Sequence, residues 1–157
     1  LEFVYVGREH AHPAPGVSDA ITDADVVVIP PSNPVVSVGT ILNITGIREA
    51  LRSTAAPVVG VSPIIGGAPV RGMADACLNA IGVETSATGV AVHYGARSLG
   101  GVIDSWLVDT VDTESVADIA AAGITSRAVP LLMTDIESTG DIACEALSLA
   151  FNSTLNA

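Results

Sequence analysis

"DVVVIPPSNPVVSVGT", residues 25–40, decides how the chain is read. Val26 to Ile29 are consecutive branched apolar residues with no polar alternation, the pattern of a strand covered on both faces. Pro30-Pro31 stops the run, because proline has no N–H to give to a ladder. A set of small hydrogen-bonding groups follows: Ser32, Asn33, Ser37, Gly39 and Thr40. A buried strand that empties into such a loop is how open parallel sheets hold ligands, beyond the carboxyl ends of their strands.

The same pattern recurs outward from this stretch. "PVVGVSP" (57–63) is a second buried strand running into the glycine-rich "IIGGAPVRG", and "DSWLVDT" (104–110) and "AVPLLMT" (128–134) are two more. "FVYV" (3–6), stopped by Gly7, reads as a short strand near the start. Helical segments lie between: a weak turn or two in "VSDAITDA" (17–24), then "IREALRS" (47–53) with Thr45 as N-cap. "MADACLNAIG" (73–82) and "SATGVAVHYG" (86–95) are each closed by glycine, and "ESVADIAAAG" (114–123) and "DIACEALSLAF" (141–151) complete the set. Apolar strands alternating with helices predict an α/β fold: a Rossmann-like parallel sheet with helices on both faces. One unit spans residues 1–150 and residues 151–157 read as a frayed tail. The chain opens on Leu1 rather than Met, almost directly in a strand-like stretch, so the expectation is the C-terminal portion of a larger domain.

Composition narrows the function. Apolar residues are 49 % of the chain but aromatics only 3 %, so the core is built of Val, Ile, Leu and Ala. Net charge is −11, and all six basic residues are arginines. Nucleic-acid binding depends on neutralising phosphates with Lys and Arg, so such a surface argues against that class of partner. No apolar run approaches a membrane span, and the two cysteines, Cys77 and Cys144, show no metal or CxxC spacing. Buried thiols in a reducing cytoplasm are the reading.

Both glycine-rich loops sit at strand ends. In the first, Ser37 and Thr40 offer hydroxyls, Asn33 an amide, and Gly39 lets backbone approach a ligand. Without lysine it is no Walker A loop, and "SVGT" does not match GxGxxG. It either binds with neutral donors or is a capped loop satisfying its own backbone. In the second, Gly66, Gly67 and Gly72 surround Arg71, the cation of the region. Its guanidinium suits a phosphate or carboxylate, or else pairs with Asp75 one turn on. Asp109, Asp112, Asp135 and Glu137 follow the later strands, where they serve either a hard cation or as ordinary helix-start carboxylates. His10 and His12 read as a solvated loop, and the helix dipole explains His93.

"PPSNPVVSVGTIL", "PVVGVSPIIGGAPVRGMAD", "GVAVHYG", "WLVDT" and "PLLMTD", in that order, resemble the 2-phospho-L-lactate transferase family of coenzyme F-420 biosynthesis, whose actinobacterial members are called phosphoenolpyruvate transferases. The resemblance runs from about Tyr5 to about Ala150. It implies a transferase of substituted phosphate groups. The terminal ribityl hydroxyl of the deazaflavin Fo attacks a guanosine diphosphate diester carrying lactate or enolpyruvate, and GMP leaves with the help of a magnesium ion. It also implies a cytoplasmic homodimer. Carried over by motif, Asn33, Ser37, Gly39, Thr40, Ser62, Gly66, Gly67 and Arg71 would line the shared pocket for nucleotide and Fo. The family's N-terminal glycine-rich loop and catalytic aspartate have no match here, so these residues alone are expected to be inactive. "ARSLGGVIDSWLVDT" reads longer than the family's link into that strand. The rival expectation is a non-catalytic regulator of the same fold that binds nucleotide sugars, against which "GGAPVRGMAD" points to the transferases.

Overall fold

A computed structural model describes residues 3–155. In chain order its strands are β1 (Val27–Ile29), β2 (Val58–Val61), β3 (Ile64–Ile65), β4 (Ala68–Pro69), β5 (Ser105–Val108) and β6 (Thr125–Ala128). The helices are α1 (Val17–Thr22), α2 (Val38–Leu42), α3 (Ile47–Ser53), α4 (Ala74–Ala80), α5 (Ala87–Tyr94), α6 (Ser115–Ala121) and α7 (Ile136–Leu155). One parallel sheet has the order β1-β2-β5-β6, and β3-β4 form a separate antiparallel hairpin.

The sheet order repeats the chain order, so every crossover steps the same way. Right-handed parallel crossovers then put their helices on one face. That face is one apolar cluster in which Ile29, Val58, Trp106 and Val108 meet buried residues of α2 through α6. The opposite face carries Val59, Val61 and Leu107, and α7 covers them with Ile142, Ala146, Leu149 and Ala150. The expected helix–sheet–helix layering is present, with one long helix matching several short ones. Among the described residues no helix is long and apolar enough to cross a membrane.

Several boundaries differ from expectation, each for a physical reason. Residues 3–6 form no strand. Phe3 packs on the helical cluster and the Tyr5 hydroxyl donates to the Val35 carbonyl at 2.9 Å, so the segment lies over the helices. The last strand is the polar, partly exposed "TSRA" of β6, not the apolar run 128–134. Val129 N–H still reaches Val108 O at 3.0 Å, but Pro130 brings no donor, and the next N–H, of Leu131, goes to the Asp109 carboxylate at 2.8 Å. An edge strand needs no apolar face on its outer side, which is why the sequence pattern overlooks it. Gly46, in the left-handed conformation at φ 94°, caps α3 in place of Thr45. α7 starts at Ile136 because Asp135 and Ser138 cap it reciprocally. Ser138 N–H donates to Asp135 Oδ1 at 2.8 Å, and Asp135 N–H donates to Ser138 Oγ at 3.1 Å. The helix runs on through Leu155, past the expected end of order at 150, and residues 156–157 lie outside the described residues.

The long link into β5 has a structural use. Arg97 Nη1 donates to the carbonyls of Leu51, Thr54 and Ala56 at 3.2, 2.9 and 3.0 Å. Its Nε and Nη2 meet the two Asp104 oxygens, each at 3.0 Å, and Asp104 Oδ2 accepts the Val58 N–H at 2.8 Å. One guanidinium therefore closes the end of α3 and pins the starts of β2 and β5. Arg97→Ala strands a mostly buried carboxylate and several carbonyls. It is expected to cost on the order of 3 kcal/mol, read as a thermal midpoint lower by roughly 6–12 °C.

Candidate functional site

β1 and β2 are hydrogen-bonded neighbours, with Ile29 opposite Gly60. The loops that leave their carboxyl ends, 30–37 and 62–73, therefore start side by side on one edge of the sheet. In the first loop most polar groups are engaged. Asn33 Oδ1 accepts the N–H groups of Val35 and Val36 at 2.9 and 3.1 Å, an Asx-type turn that shapes the loop. Asn33 Nδ2 points to Cys77 Sγ on α4 at 3.4 Å, tying this loop to the helix that follows the second one. Thr40 Oγ1 donates back to Val36 O at 2.8 Å within the exposed start of α2. Gly39 is required by packing, since a Cβ there would lie 2.7 Å from Pro34 O. The hydroxyls of Ser32 and Ser37 have no partner among the described residues. Ser37 is the N-cap of α2 without a capping bond.

The second loop opens with Ser62, which is 2 % exposed and uses its hydroxyl to bridge the N–H and C=O of Ile64. It presents no free donor. Gly66 and Gly67, at φ 58° and 77°, are the two central residues of the β3-β4 hairpin. Two successive positive φ values make the primed turn that matches strand twist, so the pair is explained by the hairpin. Arg71 follows β4, is exposed, and makes no ion pair or hydrogen bond among the described residues. The alternative partner, Asp75, is not engaged with it. Val70 and Met73 beside it, and Val111 against the hairpin turn, are aliphatic and largely exposed.

Side-chain ties continue along the same edge. Asp112 accepts the Gly66 N–H with its two oxygens at 3.1 and 3.0 Å, which holds the hairpin turn to the segment after β5. Asp109 is 5 % exposed. Its Oδ1 accepts Val111 N–H and its Oδ2 accepts Leu131 N–H, so it clamps the segments after β5 and β6 together. Asn33, Asp112 and Asp109 thus lace four successive strand tips into one platform.

Residues 1–145 match the model of a family described as 2-phospho-L-lactate transferase CofD. The chain belongs to this family. Among its curated relatives in the transferase family, the phosphoenolpyruvate transferase of Streptomyces coelicolor is 59 % identical over 147 residues, 94 % of this chain and 45 % of the relative. That of Kitasatospora aureofaciens is 61 % identical over 145 residues, 92 % of this chain and 44 % of the relative. The chain spans less than half the length of these relatives. A crystal structure of a Bacillus halodurans protein superposes with a TM-score of 0.55 at 21 % identity, covering 87 % of this chain and 47 % of that one, and shares the fold.

The transferase-family resemblance carries a magnesium ion, and the described carboxylates do not fit one. Asp109 and Asp112 spend their oxygens on backbone N–H groups, and Asp135 caps α7. No group of three or more His, Cys, Asp or Glu side chains is placed to hold a metal among the described residues. Sequence reasoning saw Asp109 and Asp112 but not their work as ties, because the Leu131 and Gly66 N–H groups that they hold lie 22 and 46 residues away. The glycine pair offers a direct check of its role. Asparagine tolerates left-handed backbone, and a Cβ at Gly66 meets nothing closer than Val111 Cγ2 at 3.8 Å. Gly66→Asn is therefore expected to fold with a thermal midpoint within a few degrees of wild type and to leave nucleotide affinity within about threefold. A larger loss of affinity in a folded variant would mean that a ligand needs the bare backbone there.

Proposed function

We propose that the protein containing this chain transfers a phosphoenolpyruvyl or phospholactyl group from a guanosine diphosphate diester to the terminal hydroxyl of the deazaflavin Fo, releasing GMP, in coenzyme F-420 biosynthesis. A bond forms from the hydroxyl oxygen to the phosphorus bearing the enolpyruvyl or lactyl group. The diphosphate linkage breaks, GMP takes the electron pair, and the hydroxyl proton passes to a base. Family membership supports the reaction class, and the name borne by the similar actinobacterial relatives favours the enolpyruvyl donor.

The observation that carries the proposal is the unpaired Arg71 on a loop adjoining the Asn33–Thr40 segment, at neighbouring strand tips. A polyanionic diphosphate meeting a chain of net charge −11 needs a local cation, and a guanidinium fork grips phosphate oxygens in pairs. Ser37 and Ser32 add free hydroxyls. Asn33, Gly39, Thr40, Ser62, Gly66 and Gly67 shape the two loops. The exposed aliphatics Val70, Met73 and Val111 give the flat deazaflavin ring an apolar surface to lie on. Magnesium, a homodimer and a cytoplasmic setting belong to the proposal through the resemblance alone. Supplying the full-length protein with Fo, magnesium and each donor is expected to release GMP, faster with the enolpyruvyl diester. Absence of GMP with both donors would overturn the proposal.

A further inference from the structure

We infer that a second binding site, for a small oxyanion carrying an apolar body, lies within the helical layer, behind the first strand-tip loop. A cleft of about 490 Å3 opens between α2, α3, α4 and α5. That is a volume in which small organic ligands are usually held. Its walls are apolar, with Phe3, Val35, Ile81 and Val83 among them. Three strongly polar side chains interrupt those walls: the Asn43 amide at the end of α2, Arg48 from the first turn of α3 and His93 from the last turn of α5.

Arg48 is half-buried, and neither Arg48 nor His93 makes a hydrogen bond or ion pair among the described residues. The two are close enough to feel each other: burial, and then the Arg48 charge, hold His93 below the ordinary histidine pKa. No carboxylate among the described residues lines this cleft. The remaining titratable group, the Tyr5 phenol, already donates to Val35 O. A partly desolvated guanidinium is ordinarily answered by a carboxylate from its own chain. Among the described residues no such carboxylate answers Arg48, and the cleft leaves room for an anion. A phosphate monoester or carboxylate would take the Arg48 fork and a His93 N–H, while a ring or branched tail lies against Phe3, Ile81 and Val83.

This site does not depend on the transfer reaction. The cleft shares Pro34, Val35 and Gly39 with the first strand-tip segment, whereas Arg71 and the second loop do not line it. The probe is phenyl phosphate, titrated calorimetrically into the full-length protein at pH 7 with inorganic phosphate as comparator. Expected results are binding about tenfold tighter than inorganic phosphate, no change when GDP saturates the strand-tip site, and at least a tenfold loss in Arg48→Ala and Arg48→Gln. Circular dichroism checks that each variant is folded. If both are not, Arg48→Lys, which keeps the charge and removes the fork, is expected to weaken binding severalfold. No binding to wild type, displacement by GDP, or undiminished binding in folded Arg48 variants would each overturn the inference.

Discussion

Arg71→Ala in the full-length protein is expected to weaken binding of a guanylyl diphosphate by about 10- to 100-fold, while leaving the thermal midpoint unchanged. Stability is spared because Arg71 is solvent-exposed and bonded to nothing among the described residues. Affinity is not, because a fork on a phosphate group is a charge-assisted pair of bonds, and no other cation lies on the strand-tip loops 30–40 and 62–73. The remaining protein is strongly acidic, so its mean field repels the ligand once the local charge is gone. Arg71→Lys is expected to recover part of the loss, since it restores a point charge without the planar fork. Isothermal titration with GDP at low and physiological salt separates the two effects. The charge component shrinks as salt rises and the fork component persists.

Gly60→Ala is expected to be strongly destabilising. Gly60 lies on β2 in register with Trp106 of β5, and a Cβ there would sit 2.3 and 2.4 Å from Trp106 ring atoms. The indole cannot retreat. It is 0 % exposed, and Tyr94 packs edge-on against it with ring centroids 5.6 Å apart. Overpacking a rigid core costs roughly 1–3 kcal/mol and more where nothing can give, so a loss of about 3 kcal/mol or more is expected here. For a chain of this size that lowers the thermal midpoint by roughly 6–12 °C. Trp106→Phe in the same background shortens the ring system and should return part of the loss, a coupling that a double-mutant cycle measures. If Gly60→Ala alone melted with wild type, the packing of Trp106 over the β2 backbone would be wrong.

The same pair shows what the sequence discloses and what it conceals. "PVVGVSP" and "DSWLVDT" announce two buried strands by composition, and both form. Nothing in either run says that a glycine in one makes room for the tryptophan in the other, because that requires the register. Apolar runs found β1, β2 and β5, but the edge strand β6 is polar and was missed in favour of the apolar segment beside it. The loop "IIGGAPVRG" was seen as glycine-rich, and its fold into a hairpin followed only from the two positive φ values. At the candidate site, residue types drew attention to the carboxyl ends of β1 and β2, where both loops begin. Which polar groups remain free was hidden: Asn33, Thr40 and Ser62 bond to nearby backbone or to Cys77, whereas Arg71 stays open. The Arg48–His93 cleft left no linear signature, since its members come from separate helices.

Two loops from adjacent strand tips are held here to grip one nucleotide together, and amide hydrogen exchange on the full-length protein with and without GDP reads that directly. Joint slowing of exchange in residues 33–40 and 66–72, lost from both segments in Arg71→Ala, is the predicted result. Slowing in only one segment, or slowing confined to residues elsewhere such as 129–145, would contradict it.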